Sequence, residues 1–287
     1  MGQNIMVILQ LNILLLLLVT VSSVTFASEL ELVKVAKEQR TLYSRDKYLI
    51  ELLERALAKK NYHFDHIPVH PHQQRTLLKL SKGDVDIHWG MTSPEREEIA
   101  TAIHIPLFKG LIGWRIALVK AQAQSRFDQL TTNDLKQLNA VQGHDWPDTK
   151  VLAQNGFRVK PFANYPAMFS MISRGQVDYF PRSVIEVSDE LAAHQKTGIV
   201  IEQQHALVYP AAFYFFVNKE REQLAEDLEQ GLNQLIKEGE FERLFNQYFA
   251  SVLAELNIPG RQVHRLSNNY LPSSVPIERT ELWYKLK

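Results

Sequence analysis

Not one of the 287 residues is cysteine. That excludes disulfides, thiolate metal sites, a cysteine nucleophile and lipid attachment at an N-terminal cysteine. An excess of charge is also missing, since Lys plus Arg and Asp plus Glu each number 32. A neutral chain has no bulk electrostatic pull toward nucleic acid or an anionic membrane, so neither is expected as its main partner. The signatures of acyl transfer, nucleotide hydrolysis and dinucleotide chemistry are absent too: there is no G-x-S-x-G elbow, no Walker loop and no G-x-G-x-x-G. Ten histidines occur without a His-Glu-x-x-His spacing. The loose set His63, His66, His70 and His72 straddles a predicted strand and loop rather than one helix face, which argues against a metal centre. No cofactor is expected.

Long apolar runs are confined to the start. Residues 1–27 carry no charged side chain, and Ile13 to Val19 is almost all leucine. This reads as the core of a secretory signal peptide, cleaved after Ala27 with Thr25 two positions earlier. No Lys or Arg precedes the run, so an uncleaved anchor is the competing reading. No later segment approaches the ~18 apolar residues needed to span a bilayer, so no membrane insertion is expected after signal cleavage. About 260 residues would remain, enough for one large α/β domain or two lobes.

What is present is an α/β rhythm. Leu30 to Ala36 alternates as a first strand, and Leu49, Leu52, Leu53, Ala56 and Leu57 form a helical stripe within 47–60. A strand at 66–69, a helix at 72–81 and a strand at 85–89 follow, the pattern of a parallel sheet covered by helices. Strand 111–119 precedes a second α/β series: strand 138–142, helix 148–155, strand 158–161, helix 165–174, strand 177–180, helix 183–194 and strand 199–202. Strand 211–217 closes the series, and two amphipathic helices at 224–237 and 241–256 flank Gly239. The predicted organisation is a first lobe from 28–116 plus 211–287, with C-terminal helices and tail, and a second lobe from 117–210. Two long strands join them.

Ligands of such sheets sit at the carboxyl ends of the strands. Tyr43 and the segment Gly90-Met91-Thr92-Ser93-Pro94-Glu95-Arg96 are predicted to lie there. Backbone N–H groups, the hydroxyls of Thr92 and Ser93 and the fork of Arg96 would converge on an anion beside Trp89. The alternative is a plain capped helix whose Arg96 pairs with Glu95, Glu97 or Glu98. In the second lobe Gly143 would turn the chain after its strand and Asp148 would cap the next helix, leaving His144 to donate to a ligand and Trp146 to stack on it. Tyr179, Arg182 and Ser183 form a third corner. There the alternative is that Arg182 pairs with Glu186 at helix spacing or with Asp178.

With these corners in place, the chain resembles the periplasmic solute-binding proteins that serve polar amino-acid uptake, the family 3 extracellular binding proteins. The resemblance rests on Gly83-x-Val85-Asp86 with Gly90 to Arg96, on Ile105-Pro106-Leu107, on Gly175-x-Val177-Asp178 and on Phe215-Phe216-Val217-Asn218-Lys219 with the helix pair around Gly239. It implies a two-lobed, type II periplasmic binding protein-like α/β fold with two hinge strands. The implied role is non-catalytic capture of a small-molecule anionic ligand in the periplasm, by a monomer that serves an inner-membrane permease of the ABC type or a receptor. By similarity Arg96 would grip a ligand carboxylate, helped by Thr92 and Ser93. Two departures matter: the loop after the first strand is replaced by Glu38 to Arg45, and Arg182 and Ser183 stand where the family aims an acid at a ligand ammonium. Glu186 or Asp145 would have to substitute. The other readings are a sensory partner of a membrane receptor and a dehydratase-like enzyme using Glu186, Asp145 or His144 as acid or base.

Overall fold

Alternation of period two and stripes of period 3.6 place the chain in two α/β layers. The computed structural model describes residues 30–38, 43–194 and 197–285; the signal-peptide segment lies outside them. Of the unit Met1–Glu31 only its last two residues are described, and Leu32–Lys287 form the second unit, which is described below. The first sheet contains β1 (Glu31–Glu38), β2 (Tyr62–Val69), β3 (Ile87–Met91) and β4 (Thr101–Ala102), with α1 (Ser44–Leu57), α2 (Gln73–Ser81) and the short α3 (Pro94–Ile99) between them. The second contains β5 (Trp114–Lys120), β6 (Asn139–Gly143), β7 (Arg158–Phe162), β8 (Tyr179–Ser183), β9 (Ile199–Ile201) and β10 (His205–Val208). Its helices are α4 (Gln124–Phe127), α5 (Thr132–Gln137), α6 (Pro147–Gln154), α7 (Tyr165–Ser173) and α8 (Val187–Ala193). The chain returns through β11 (Phe213–Val217), α9 (Glu222–Lys237), α10 (Glu240–Glu255) and β12 (Gln262–Arg265).

The strand order is β2-β1-β3-β11-β4 in the first sheet and β12-β10-β5-β8-β6-β7 in the second, with β9 also on β5. β1 runs parallel to β3 through Val35 and Ile87, whereas β11 lies antiparallel beside β3 with Phe215 opposite Trp89. Up to β11 the chain crosses between lobes twice, from β4 to β5 through the 3-10 turn Leu111–Gly113 and from β10 to β11.

A third crossing was not expected. The sequence groups all of 211–287 with the first lobe, but β12 pairs in parallel with β10 of the second sheet, His205 opposite Gln262. A line of hydrogen bonds ties it there. The Phe127 carbonyl can only accept, so His205 Nε2 donates to it (2.8 Å). His205 Nδ1 then accepts from His264 Nε2 (2.9 Å), and the Thr132 hydroxyl donates to His264 Nδ1 (2.7 Å). The tail then returns to the first lobe, where the Ser274 hydroxyl donates to Glu97 (2.7 Å).

The first lobe's core forms where α9 and α10 meet α1. Leu224, Leu228, Leu232 and Leu235 line one face of α9, and Tyr48 of α1 is enclosed by Phe108, Phe245 and Phe249, its hydroxyl donating to the Leu107 carbonyl (2.8 Å). At Gly231 the backbones touch: a Cβ there would stand 1.9 Å from the Ala56 carbonyl oxygen. Gly231→Ala is therefore expected to push α9 off α1 and destabilise the protein by about 1–3 kcal/mol. A urea melt with an unshifted midpoint would refute this close approach.

Candidate functional site

A cleft of about 900 Å³, counted to its open mouth, lies between the lobes, within the size range of small-molecule sites. From the first lobe it receives β3, the start of α1 and the loop before α2. From the second it receives the turn after β6, the start of α7, β8 and the turn into α8. Three of the sequence-predicted residues line it: Trp89, Trp146 and Arg182.

Arg96 is buried, and its guanidinium points just behind the cleft wall. Nη1 donates to the Met91 carbonyl (2.8 Å), while Nη2 donates to Gln73 Oε1 (2.6 Å) and, across the lobes, to the Asp145 carbonyl (3.2 Å). All three acceptor residues line the cleft. Among the described residues Arg96 has no ion pair; Glu95 goes to Lys150 (2.8 Å) and Glu97 to Thr92 (2.6 Å). The simple pairing of Arg96 with a helix glutamate is not what forms. Burial pulls the Arg96 guanidinium down to about 10 against the opposite pull of Asp145, Asp148 and Glu95, the mark of a cation whose charge is only partly offset. Ser93 caps α3 by accepting from the Arg96 N–H (3.4 Å), and Thr92 donates to Glu97, so neither hydroxyl lines the cleft.

Tyr43 precedes α1, its N–H donating to Asp46 (3.0 Å), and does not line the cleft. His144 is exposed at the rim, its ring 5.1 Å from that of His72. Trp146 stacks on Phe180 (6.2 Å between centroids) and receives the Arg182 guanidinium on its face at 4.7 Å. The reason for Gly143 differs from the one expected. Its backbone is not left-handed; rather, a Cβ there would meet the Trp146 ring at 2.3 Å. Nor does Asp148 cap α6. Its carboxylate turns inward and accepts from Arg115 and from the Tyr209 hydroxyl (2.5 Å).

The third corner is reorganised because β8 continues through Pro181 to Ser183, paired with β5 so that Arg115 stands opposite Ser183. On a strand, residues three apart face opposite sides. Arg182 and Phe180 face the cleft side. Tyr179 and Ser183 face away, their hydroxyls donating to the carbonyls of Leu135 (3.3 Å) and Leu111 (2.9 Å).

Sequence reading named Arg182 and Glu186 but missed the buried charge network that they join with Arg45, Arg115, Asp148 and Glu190. Arg182 grips Glu190 with two bonds (2.7 and 2.6 Å) and reaches Glu186 (3.0 Å). The pairing of Arg182 with Glu186, the alternative weighed from sequence, is thus present, though on a strand and turn rather than a helix. Arg115 of β5 binds Asp148, reaches Glu186 (3.5 Å) and donates from Nε to the Tyr209 hydroxyl (3.0 Å). Arg45 of α1 crosses the cleft to the other oxygen of Glu186. Burial alone would raise the Glu186 carboxyl, but Arg182, Arg45 and Arg115 hold it down at about 2. Beside this network His88 is buried with Nδ1 unpartnered within the described protein; burial, and then the Arg96 charge, push it down to about 3. The signals available were Arg115 inside a hinge strand and Glu186 and Glu190 four residues apart. Among the described residues no group of three or more His, Asp or Glu could hold a metal ion, and no helix is long and apolar enough to cross a membrane.

No protein-family model matches the sequence, and no curated protein matches it. Solved structures do. An ancestral arginine-binding protein bound to arginine superposes with a TM-score of 0.59 at 16% identity, over 76% of this chain and 98% of that one. A putative L-cystine ABC transporter protein from Listeria monocytogenes gives 0.57 at 17% identity over 77% and 97%. A Salmonella typhimurium periplasmic binding protein of high arginine specificity gives 0.60 at 13% identity over 76% and 99%. At these identities the likeness speaks to architecture, and it agrees with the two sheets and paired crossings described above. The chain has the two-lobed α/β fold of the type II periplasmic binding proteins.

Proposed function

We propose that the protein is a periplasmic solute-binding protein that captures a small carboxylate-bearing solute between its lobes and hands it, as a monomer, to an inner-membrane permease. The observation that carries this reading is Arg96: a buried guanidinium with no ion pair among the described residues, hydrogen-bonded to neutral acceptors at the cleft wall, whose burial outweighs the pull of the acids around it. An uncompensated buried charge is unfavourable unless something else offsets it. A ligand carboxylate taking the place of the Gln73 amide and the Asp145 carbonyl would supply the missing charge, with Trp89 and Trp146 as walls. Binding rather than catalysis is supported by the acids of the cleft: Glu186, the chief candidate acid or base, is ion-paired on every side and stays ionised far below neutral pH. Two of the structures sharing this fold are named for arginine binding and as a putative L-cystine ABC transporter, which suits the same reading.

Calorimetry tests it. Once a screen of amino acids and organic acids has found a ligand, Arg96→Ala is expected to weaken binding by about 2 kcal/mol or more, roughly thirtyfold. Unchanged affinity would remove Arg96 from the site. In the screen, a ligand at a hundredfold excess over its dissociation constant stabilises by about 2.7 kcal/mol, readable as a raised melting temperature.

A further inference from the structure

Of the acids that line the second-lobe wall, Asp145 accepts from the Gln74 N–H (3.1 Å), whereas Glu186, Glu190 and Asp148 are already occupied by arginines, one of which has a different origin from the rest. Arg182 and Arg115 belong to the second lobe and stay beside Glu186, Glu190 and Asp148 whatever the lobes do. Arg45 comes from α1 of the first lobe and reaches Glu186 only where the lobes meet; next to it the Ser44 N–H donates to Asp189 (2.6 Å), fixing the start of α1 against the turn into α8. The Arg45 guanidinium also touches Asp46 (3.4 Å), but its Nε–H is buried with no acceptor among the described residues.

The geometry points to Arg45 as a built-in occupant of the place a ligand's cationic group would take, so that the cleft selects acids without an ammonium or guanidinium group. This deepens, and rests on, the carboxylate-capture reading above. A cationic ligand group approaching Glu186 must first expel Arg45, leaving a guanidinium buried without its carboxylate. An acidic group need not expel it: the free Nε–H of Arg45 offers it a charge-assisted donor. Arg45 is thus a specificity-determining residue, repelling one class of ligand and attracting another.

The test uses methylguanidinium, a copy of the end of the Arg45 side chain, together with glutarate and L-arginine. Arg45→Ala should be stabilised by millimolar methylguanidinium, seen as a raised melting temperature, while the wild-type protein and Arg45→Ala/Glu186→Gln should not. In calorimetry the wild type should bind glutarate at least tenfold more tightly than L-arginine, and Arg45→Ala should shift that ratio at least tenfold toward L-arginine. If Arg45→Ala does not fold, Arg45→Gln, which is shorter and uncharged but keeps a donor, carries the same comparisons. A variant no more responsive to methylguanidinium than the wild type would overturn the proposal, as would a wild type that binds L-arginine as tightly as glutarate. Absence of carboxylate binding by the wild type would instead overturn the capture reading, leaving the methylguanidinium comparison to decide the role of Arg45.

Discussion

Arg115→Leu is expected to destabilise the protein by about 3–5 kcal/mol, the range for removing one partner of a buried ion pair. Arg115 is fully buried on β5, the strand that enters the second sheet from the crossing, and its three donors go to three places: Asp148 in α6, Glu186 before α8 and Tyr209 after β10. Without it Glu186 keeps Arg45 and Arg182, but among the described residues the Asp148 carboxylate keeps only the Tyr209 hydroxyl. The harm therefore concentrates on one carboxylate. Adding Asp148→Leu should recover much of the loss, because an apolar pair of similar volume is often as stable as a buried ion pair. Urea denaturation checks both variants, read as midpoints at constant slope. A single variant within about 1 kcal/mol of wild type, or a double variant worse than the single, would show that the network does not hold the second lobe together.

This network also marks where the sequence stops being readable. The order of strands and helices follows from local periodicity, so β1 to β3, β5 to β9 and the helix pair α9 and α10 were legible within a few residues. β10 and β12 were not. Each has four residues, and Gln262 to Arg265 is polar, with an exposed, half-buried, buried, exposed pattern that no window separates from a loop. At β8 the expected strand ends at 180, yet the strand runs on through Pro181 to Ser183, so that of Tyr179, Arg182 and Ser183 only Arg182 faces the cleft. The cleft itself depended on pairs far apart in sequence: Arg115 with Asp148 at a separation of 33 and Arg45 with Glu186 at 141. Local patterns cannot encode such pairs. They do encode the local setting of Arg96, because its strand, capped turn and first helical turn lie within ten residues.

Acidification is expected to unfold the protein progressively, beginning below pH 6.5 and well above the range in which carboxylates titrate. His88 is held neutral down to about 3, by burial first and by the Arg96 charge second, against an ordinary value of 6.5. Its folded pKa is depressed, so between pH 6.5 and 3 the unfolded chain binds a proton that the folded chain refuses, and stability falls as pH falls. From pH 7 to pH 4 this amounts to about 3 kcal/mol for His88 alone. His264 acts in the same direction with a smaller contribution, burial and the neighbouring His205 holding it at about 4. Glu186 adds a later loss: its stabilisation is complete above its ordinary value of 4.5 and disappears as pH falls toward about 2. Denaturation at pH 7, 5.5 and 4 separates these contributions, since only the histidines act above pH 5. His88→Gln should remove about 3 kcal/mol of the loss between pH 7 and pH 4 while leaving the loss from Glu186 in place. If the variant's stability falls with pH as steeply as the wild type's, His88 is not the buried neutral group that its orphaned Nδ1 and the adjacent Arg96 require it to be.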